Sequence, residues 1–127
     1  MKDKEYAKQK KRVEALIKAW SPALHPPSWT LTYNWYSAQS DMPADVQDAQ
    51  MFCRSHWQYL TAVIGICCDG LQDKTDDQVE FMLVHEYMHC YAVVMRPKPR
   101  ADKCEELACS LLAAAFIRHR DLTRSAK

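Results

Sequence analysis

Glycine is almost missing from this chain: Gly65 and Gly70 are its only two in 127 residues. Phosphate cradles of the G-x-G-x-x-G or G-x-x-x-x-G-K type need several glycines close together, so nucleotide binding through such a loop is excluded. Charge imbalance is missing as well. Lys and Arg number 17 against 16 Asp and Glu, a balance that implies neither a nucleic-acid nor a membrane-surface partner. No apolar run reaches the roughly 20 residues that span a bilayer. The opening segment "MKDKEYAKQKKRVEALIKAW" has no uninterrupted apolar stretch of the secretory kind. The six cysteines form no C-x-x-C pair, and Cys67 and Cys68 are adjacent. They read as reduced thiols, mostly small core residues, in a soluble cytoplasmic protein.

Hydrophobic residues at 48% and charged residues at 26% are ordinary globular composition, and the length suits a single domain over residues 1–127. Tyr6, Val13, Leu16, Ile17 and Trp20 recur at helical spacing, which predicts an amphipathic N-terminal helix over 3–20, ended by "SPALHPP". Aromatic and β-branched alternation in "SWTLTYNWYS" predicts a strand over about 29–37, and "DVQDAQMFCRSHW" and "QYLTAVIGICC" read as two more. A helix over about 76–95 is apolar almost all round and is stopped by "RPKPR". A second follows over about 101–120, rich in Ala, Leu and Glu. The fold class expected is α+β, a small twisted sheet packed on these helices. Residues 1–18 carry seven basic residues against three acids, and "DGLQDKTDDQVE" five acids against one Lys, both read as solvated faces.

The buried helix contains "HEYMH" at 85–89. Burying two histidines and a glutamate without partners costs about 1 to 3 kcal/mol for each group, so something must offset it. Residues four apart on a helix are surface neighbours, and His85 and His89 therefore point the same way. That spacing lets two imidazoles bind one Zn²⁺ per chain, with Glu86 aimed at a water beside it as general base. Two histidines and one carboxylate leave a fourth, open position, which catalytic zinc sites need. The extended pattern H-E-x-x-H-x-x-G-x-x-H requires a glycine and a histidine where this chain has Ala92 and Met95. The downstream carboxylate pair is Glu105 and Glu106.

From "YLTAVIGIC" through "HEYMH" to "EELACSLLAAAF", roughly residues 59–116, the chain resembles the gluzincin group of zincin metallopeptidases, and in detail its very small phage and prophage-type members. The resemblance implies a minimal zincin fold and hydrolysis of peptide bonds in a protein or peptide substrate. The substrate would lie along an edge strand, and the third zinc ligand would come from the helix after the motif. Residues sharing the helical face of Glu105 are Ala108, Cys109, Leu112, Ala113 and Phe116, an apolar stripe expected to face the core. Glu105 is therefore expected as the third ligand, beside His85 and His89, with Glu106 orienting a histidine. A different reading is a non-catalytic binding module of the same fold that keeps the zinc and contacts protein or nucleic acid. His25, His56 and His119 stand alone and read as surface residues, His119 as a helix C-terminal one. The tryptophans at 20, 29, 35 and 57 read as core or interface anchors.

Overall fold

The computed structural model describes residues 3–95 and 102–125. The chain folds as α+β, with helix α1 over Asp3–Leu24, strands β1 over Thr30–Tyr36, β2 over Met51–His56 and β3 over Thr61–Cys67, then helices α2 over Asp76–Ala92 and α3 over Lys103–Ser125. No helix among the described residues is long and apolar enough to cross a membrane.

β3 is the middle strand, parallel to β1 and antiparallel to β2. Its central place explains the β-branched run in "TAVIGIC": Ile64 and Ile66 are fully buried. Gly65 is required there, because Phe52 pairs with it across the strands and its ring edge lies 2.0 Å from where a Cβ would stand. β2 is thus an edge strand, and among the described residues no strand pairs with its outer side.

α1 is longer than its apolar spacing predicts. It runs through Pro22, which removes one backbone donor, and continues to Leu24. Burial of Trp20 and Leu24 holds this last turn in place, and the Tyr91 hydroxyl donates to the Leu24 carbonyl at 2.9 Å. Of "DVQDAQMFCRSHW" only Met51–His56 is strand, and Ala44–Val46 forms a 3₁₀ turn. α2 ends at Ala92 and passes into a 3₁₀ turn at Val93–Met95, while the "RPKPR" stop lies outside the described residues. α3 begins at Lys103 and continues to Ser125, so His119 sits well inside it and is no helix terminus. Trp20 is buried, but Trp57 is 46% exposed on the 3₁₀ turn joining β2 to β3 and anchors nothing in the core.

α2 starts with a reciprocal cap: Thr75 Oγ1 accepts from the Gln78 amide and Gln78 Oε1 accepts from the Thr75 amide. Arg12 ties α1 to this start, donating to Asp76 at 2.7 Å and to the carbonyls of Leu71 and Lys74. Val13, Trp20, Ile64, Leu83 and Tyr87 then close one core between helices and sheet.

One buried carboxylate joins all three helices. Glu80 of α2 accepts from Trp20 Nε1 of α1 at 3.0 Å and from both terminal nitrogens of Arg120 of α3, one of them at 2.9 Å. Arg120 holds the Glu80 carboxyl below its ordinary value of 4.5, with Trp20 assisting and burial opposing. Arg120→Ala leaves that carboxylate without its cation and is expected to destabilise the fold by about 3 kcal/mol, read from urea and thermal midpoints. Because the folded pKa is depressed, the stabilisation is present above the unfolded carboxylate pKa and is lost as pH falls through the folded value. The stability gap between the parent and Glu80→Gln should therefore narrow below about pH 4. A gap of constant size from neutral to acid contradicts this account.

Candidate metal centre

α2 brings His85 and His89 onto one side, as the spacing of four requires, and their Nε2 atoms lie 3.1 Å apart. His89 is 4% exposed. Its Nδ1 meets Glu105 Oε2 at 2.6 Å, a short hydrogen bond that the ring donates when its proton is on Nδ1, as a ligand binding through Nε2 requires. The other nitrogen, Nε2, then presents a lone pair. It faces Glu106 Oε1 at 2.7 Å as well as His85 Nε2. Glu106 also reaches toward His85, with Oε2 at 3.7 Å from Nε2. On its far side His85 Nδ1 lies 3.1 Å from Ser110 Oγ.

Three electron-pair donors thus converge: two imidazole nitrogens and one carboxylate. A proton can join two of them, whereas one metal cation satisfies all three. Ligands about 2.0 to 2.1 Å from a tetrahedral zinc lie about 3.3 Å from one another; the two Nε2 atoms are 3.1 Å apart, and the Glu106 carboxylate turns one oxygen to each, Oε1 at 2.7 Å from His89 and Oε2 at 3.7 Å from His85. The donor set therefore fits a small cation of borderline softness.

Glu105, expected from the sequence to be the third donor, sits against Nδ1, on the opposite edge of the ring from this convergence. The carboxylate at the convergence is that of Glu106, which is half-exposed. The reason lies in how α3 is rotated. Its buried residues are Cys109 and Ala113, which both helical faces share, and Ser110 and Ile117 beside them are half-buried. Ala108, Leu112 and Phe116, expected to face the core, are exposed. Ser110 was not legible as a site residue, although its spacing of four from Glu106 places it on the same face.

His89, Glu105 and Cys109 form another group of close donor atoms, with Cys109 Sγ 3.5 Å from His89 Nδ1. This group is a poorer ligand set. Burial, reinforced by the charges of Glu105 and Glu106, pushes the Cys109 thiol up to about 12, away from the thiolate a metal takes.

Glu86 points to the other flank of the pair, where His85, Glu86 and His89 offer donor atoms close together. Its Oε1 is 3.9 Å from His89 Nε2, farther than Glu106. Burial raises its pKa well above the ordinary 4.5, and the charges of Cys53 and Glu106 add to the effect. Burial and the neighbouring His89 lower the pKa of His85, which favours the neutral imidazole a metal ligand must be. Cys53 of β2 lies near, its sulfur 3.8 Å from that of Cys90. A cleft of about 230 Å³ opens beside His85, Glu86 and Ser110, walled by Met51, Phe81 and Met82 and by residues 49 and 50 at the head of the edge strand β2.

No family model, curated protein or solved structure matches the chain.

The convergence of donors predicts that added Zn²⁺ raises the thermal midpoint, because a ligand bound only by the folded state stabilises it. Glu106→Ala should abolish most of that rise. Glu105→Ala removes a group that only orients His89 and should weaken zinc affinity by about 10 to 100-fold, the smaller loss of the two. Chelator competition measures both, and the reverse order would return the ligand role to Glu105.

Proposed function

We propose that the protein is a zinc-dependent metallopeptidase of minimal zincin type, in which His85, His89 and Glu106 hold one Zn²⁺ per chain and Glu86 is the general base. The observation that carries this reading is the meeting of His85 Nε2, His89 Nε2 and the Glu106 carboxylate beside a separate buried carboxylate, at a cleft on an open sheet edge. Two imidazoles and one carboxylate suit zinc, whereas magnesium and calcium favour all-oxygen sets. Three protein ligands leave a fourth position, as a catalytic site needs.

Zinc held there supplies Lewis acidity, which acidifies water and polarises a carbonyl. The chain's own residues do the rest. Glu105 on His89 Nδ1 and Ser110 at His85 Nδ1 hold each ring with its Nε2 lone pair toward the convergence. Glu86 takes the proton of the attacking water and delivers it to the amine that leaves. Its raised proton affinity suits both transfers near neutral pH better than that of an ordinary carboxylate.

An extended peptide adds to the free side of β2, where backbone groups of the strand bind its main chain and carry its scissile bond past the cleft. Met51, Phe81 and Met82 make that cleft apolar on one side. The substrate class is protein or peptide. All six cysteines are free thiols, which supports a reducing, cytoplasmic setting.

Glu86→Gln is the test. The variant should keep stoichiometric zinc and lose peptide hydrolysis by about 10² to 10⁴-fold, measured on a mixed peptide library by mass spectrometry. Zinc-loaded protein that cleaves nothing overturns the catalytic reading and leaves a zinc-bearing binding module, whereas cleavage untouched by the substitution overturns Glu86 as the general base.

A further inference from the structure

Two of the chain's six cysteines meet across the fold. Cys53 of β2 and Cys90 of α2 are 37 residues apart in sequence, and their sulfurs lie 3.8 Å from each other. Alternate residues of a strand share a face, and Met51 and Cys53 pack into the core that β2 shares with α2. Strand and helix keep step along this contact, because two residues of a strand cover about 6.7 Å and four residues of a helix about 6.0 Å. Met51 and Glu86, one such step before Cys53 and Cys90, both line the cleft. The sulfur pair is therefore the next row between the same two walls.

The two thiols differ in access. Cys53 is partly exposed on an edge strand, whereas Cys90 is buried. Cys67, Cys68 and Cys109 are fully buried, and Cys104 is exposed on α3. A small oxidant in solution thus reaches Cys53, and the Cys90 sulfur stands in contact behind it. Ser55 Oγ, 3.3 Å from Cys53 Sγ, is placed to donate a hydrogen bond to that sulfur as it reacts.

We propose that Cys53 and Cys90 form a peroxide-sensitive dithiol, whose disulfide clamps the edge strand β2 to α2 beside the cleft. The Cys53 sulfur takes one oxygen of hydrogen peroxide; the O–O bond breaks, one water leaves and a sulfenic acid remains. The Cys90 sulfur then attacks that of Cys53. The S–S bond forms, the S–O bond breaks, and the hydroxyl leaves with the Cys90 proton as a second water. The pair loses two electrons and two protons, and one peroxide takes up both. Disulfide sulfurs are about 2.0 Å apart, so side-chain rotation and a small approach of β2 to α2 cover the remaining distance of about 1.8 Å. Thiols reverse the bond, as befits a transient disulfide in a reducing compartment. The clamp joins the walls of the cleft through residues that hold no metal, and it does not rest on the reading of the metal centre.

The full chain is treated with hydrogen peroxide, blocked with N-ethylmaleimide in denaturant and digested with trypsin. Cys53 is the only cysteine of the tryptic peptide 19–54 and Cys90 the only one of 75–100, so their linkage is read unambiguously by mass spectrometry. The two peptides should appear joined and two hydrogens lighter than their sum, and dithiothreitol should separate them. Closing so long a loop should raise the thermal midpoint of the oxidised protein by about 10 °C over the reduced one. Cys53→Ser should lose both the link and that rise while keeping the circular dichroism of the parent. Exposed Cys104 reports that the oxidant has acted. Cys104 oxidised with no link between Cys53 and Cys90, Cys53 joined to a different cysteine, or a linked protein whose midpoint does not move overturns the proposal.

Discussion

The grip of α3 on α2 is the constraint on which the site depends. Between the two helices only Cys109 and Ala113 are buried from the α3 side, so little apolar area fixes the angle of α3 about its own axis. Polar contacts at the two ends supply what the thin apolar strip does not. At one end Glu105, Glu106 and Ser110 meet His85 and His89, and at the other Arg120 meets Glu80. A rotation of α3 by one residue, about 100°, would break both sets together. The small side chains matter for the same reason, since a leucine in place of Ala113 would push the carboxylates away from the histidines.

Around His89 the two ring nitrogens have different work. A carboxylate sits on each edge, Glu105 at Nδ1 and Glu106 at Nε2, and a proton held on Nδ1 leaves Nε2 as a lone pair. Adjacent glutamates of one helix reach opposite edges of the same ring because the helix turns about 100° between them. The doublet at 105 and 106 therefore sets one carboxylate at Nδ1 and the next at Nε2. Glu86 is as buried as Glu105 but belongs to α2 itself and lines the cleft, where burial and nearby negative groups make its proton harder to lose. Three glutamates in one small region thus stand in three different surroundings, decided by where each carboxylate ends.

A core-facing helix normally buries its largest apolar residues, and α3 buries its smallest. Leu112 and Phe116 stay outside the contact with α2, and Leu107, Leu111 and Leu122 are exposed as well.

By itself the sequence determined the α+β class, the order of the elements and the pairing of His85 with His89. Each is a local property, set by apolar period, by β-branched runs and by the pitch of one helix. The edge position of β2, the burial of Glu86 and the partners of Glu80 needed the tertiary structure, because they join residues far apart in the chain. The edges of the His89 ring that Glu105 and Glu106 meet needed it as well. Reading the face of α3 from apolar content favours the side of Ala108, Leu112 and Phe116. That reading assumes that large apolar side chains face inward, and whether a given face meets its own core or a partner is decided by packing against other elements, which a single helix does not encode.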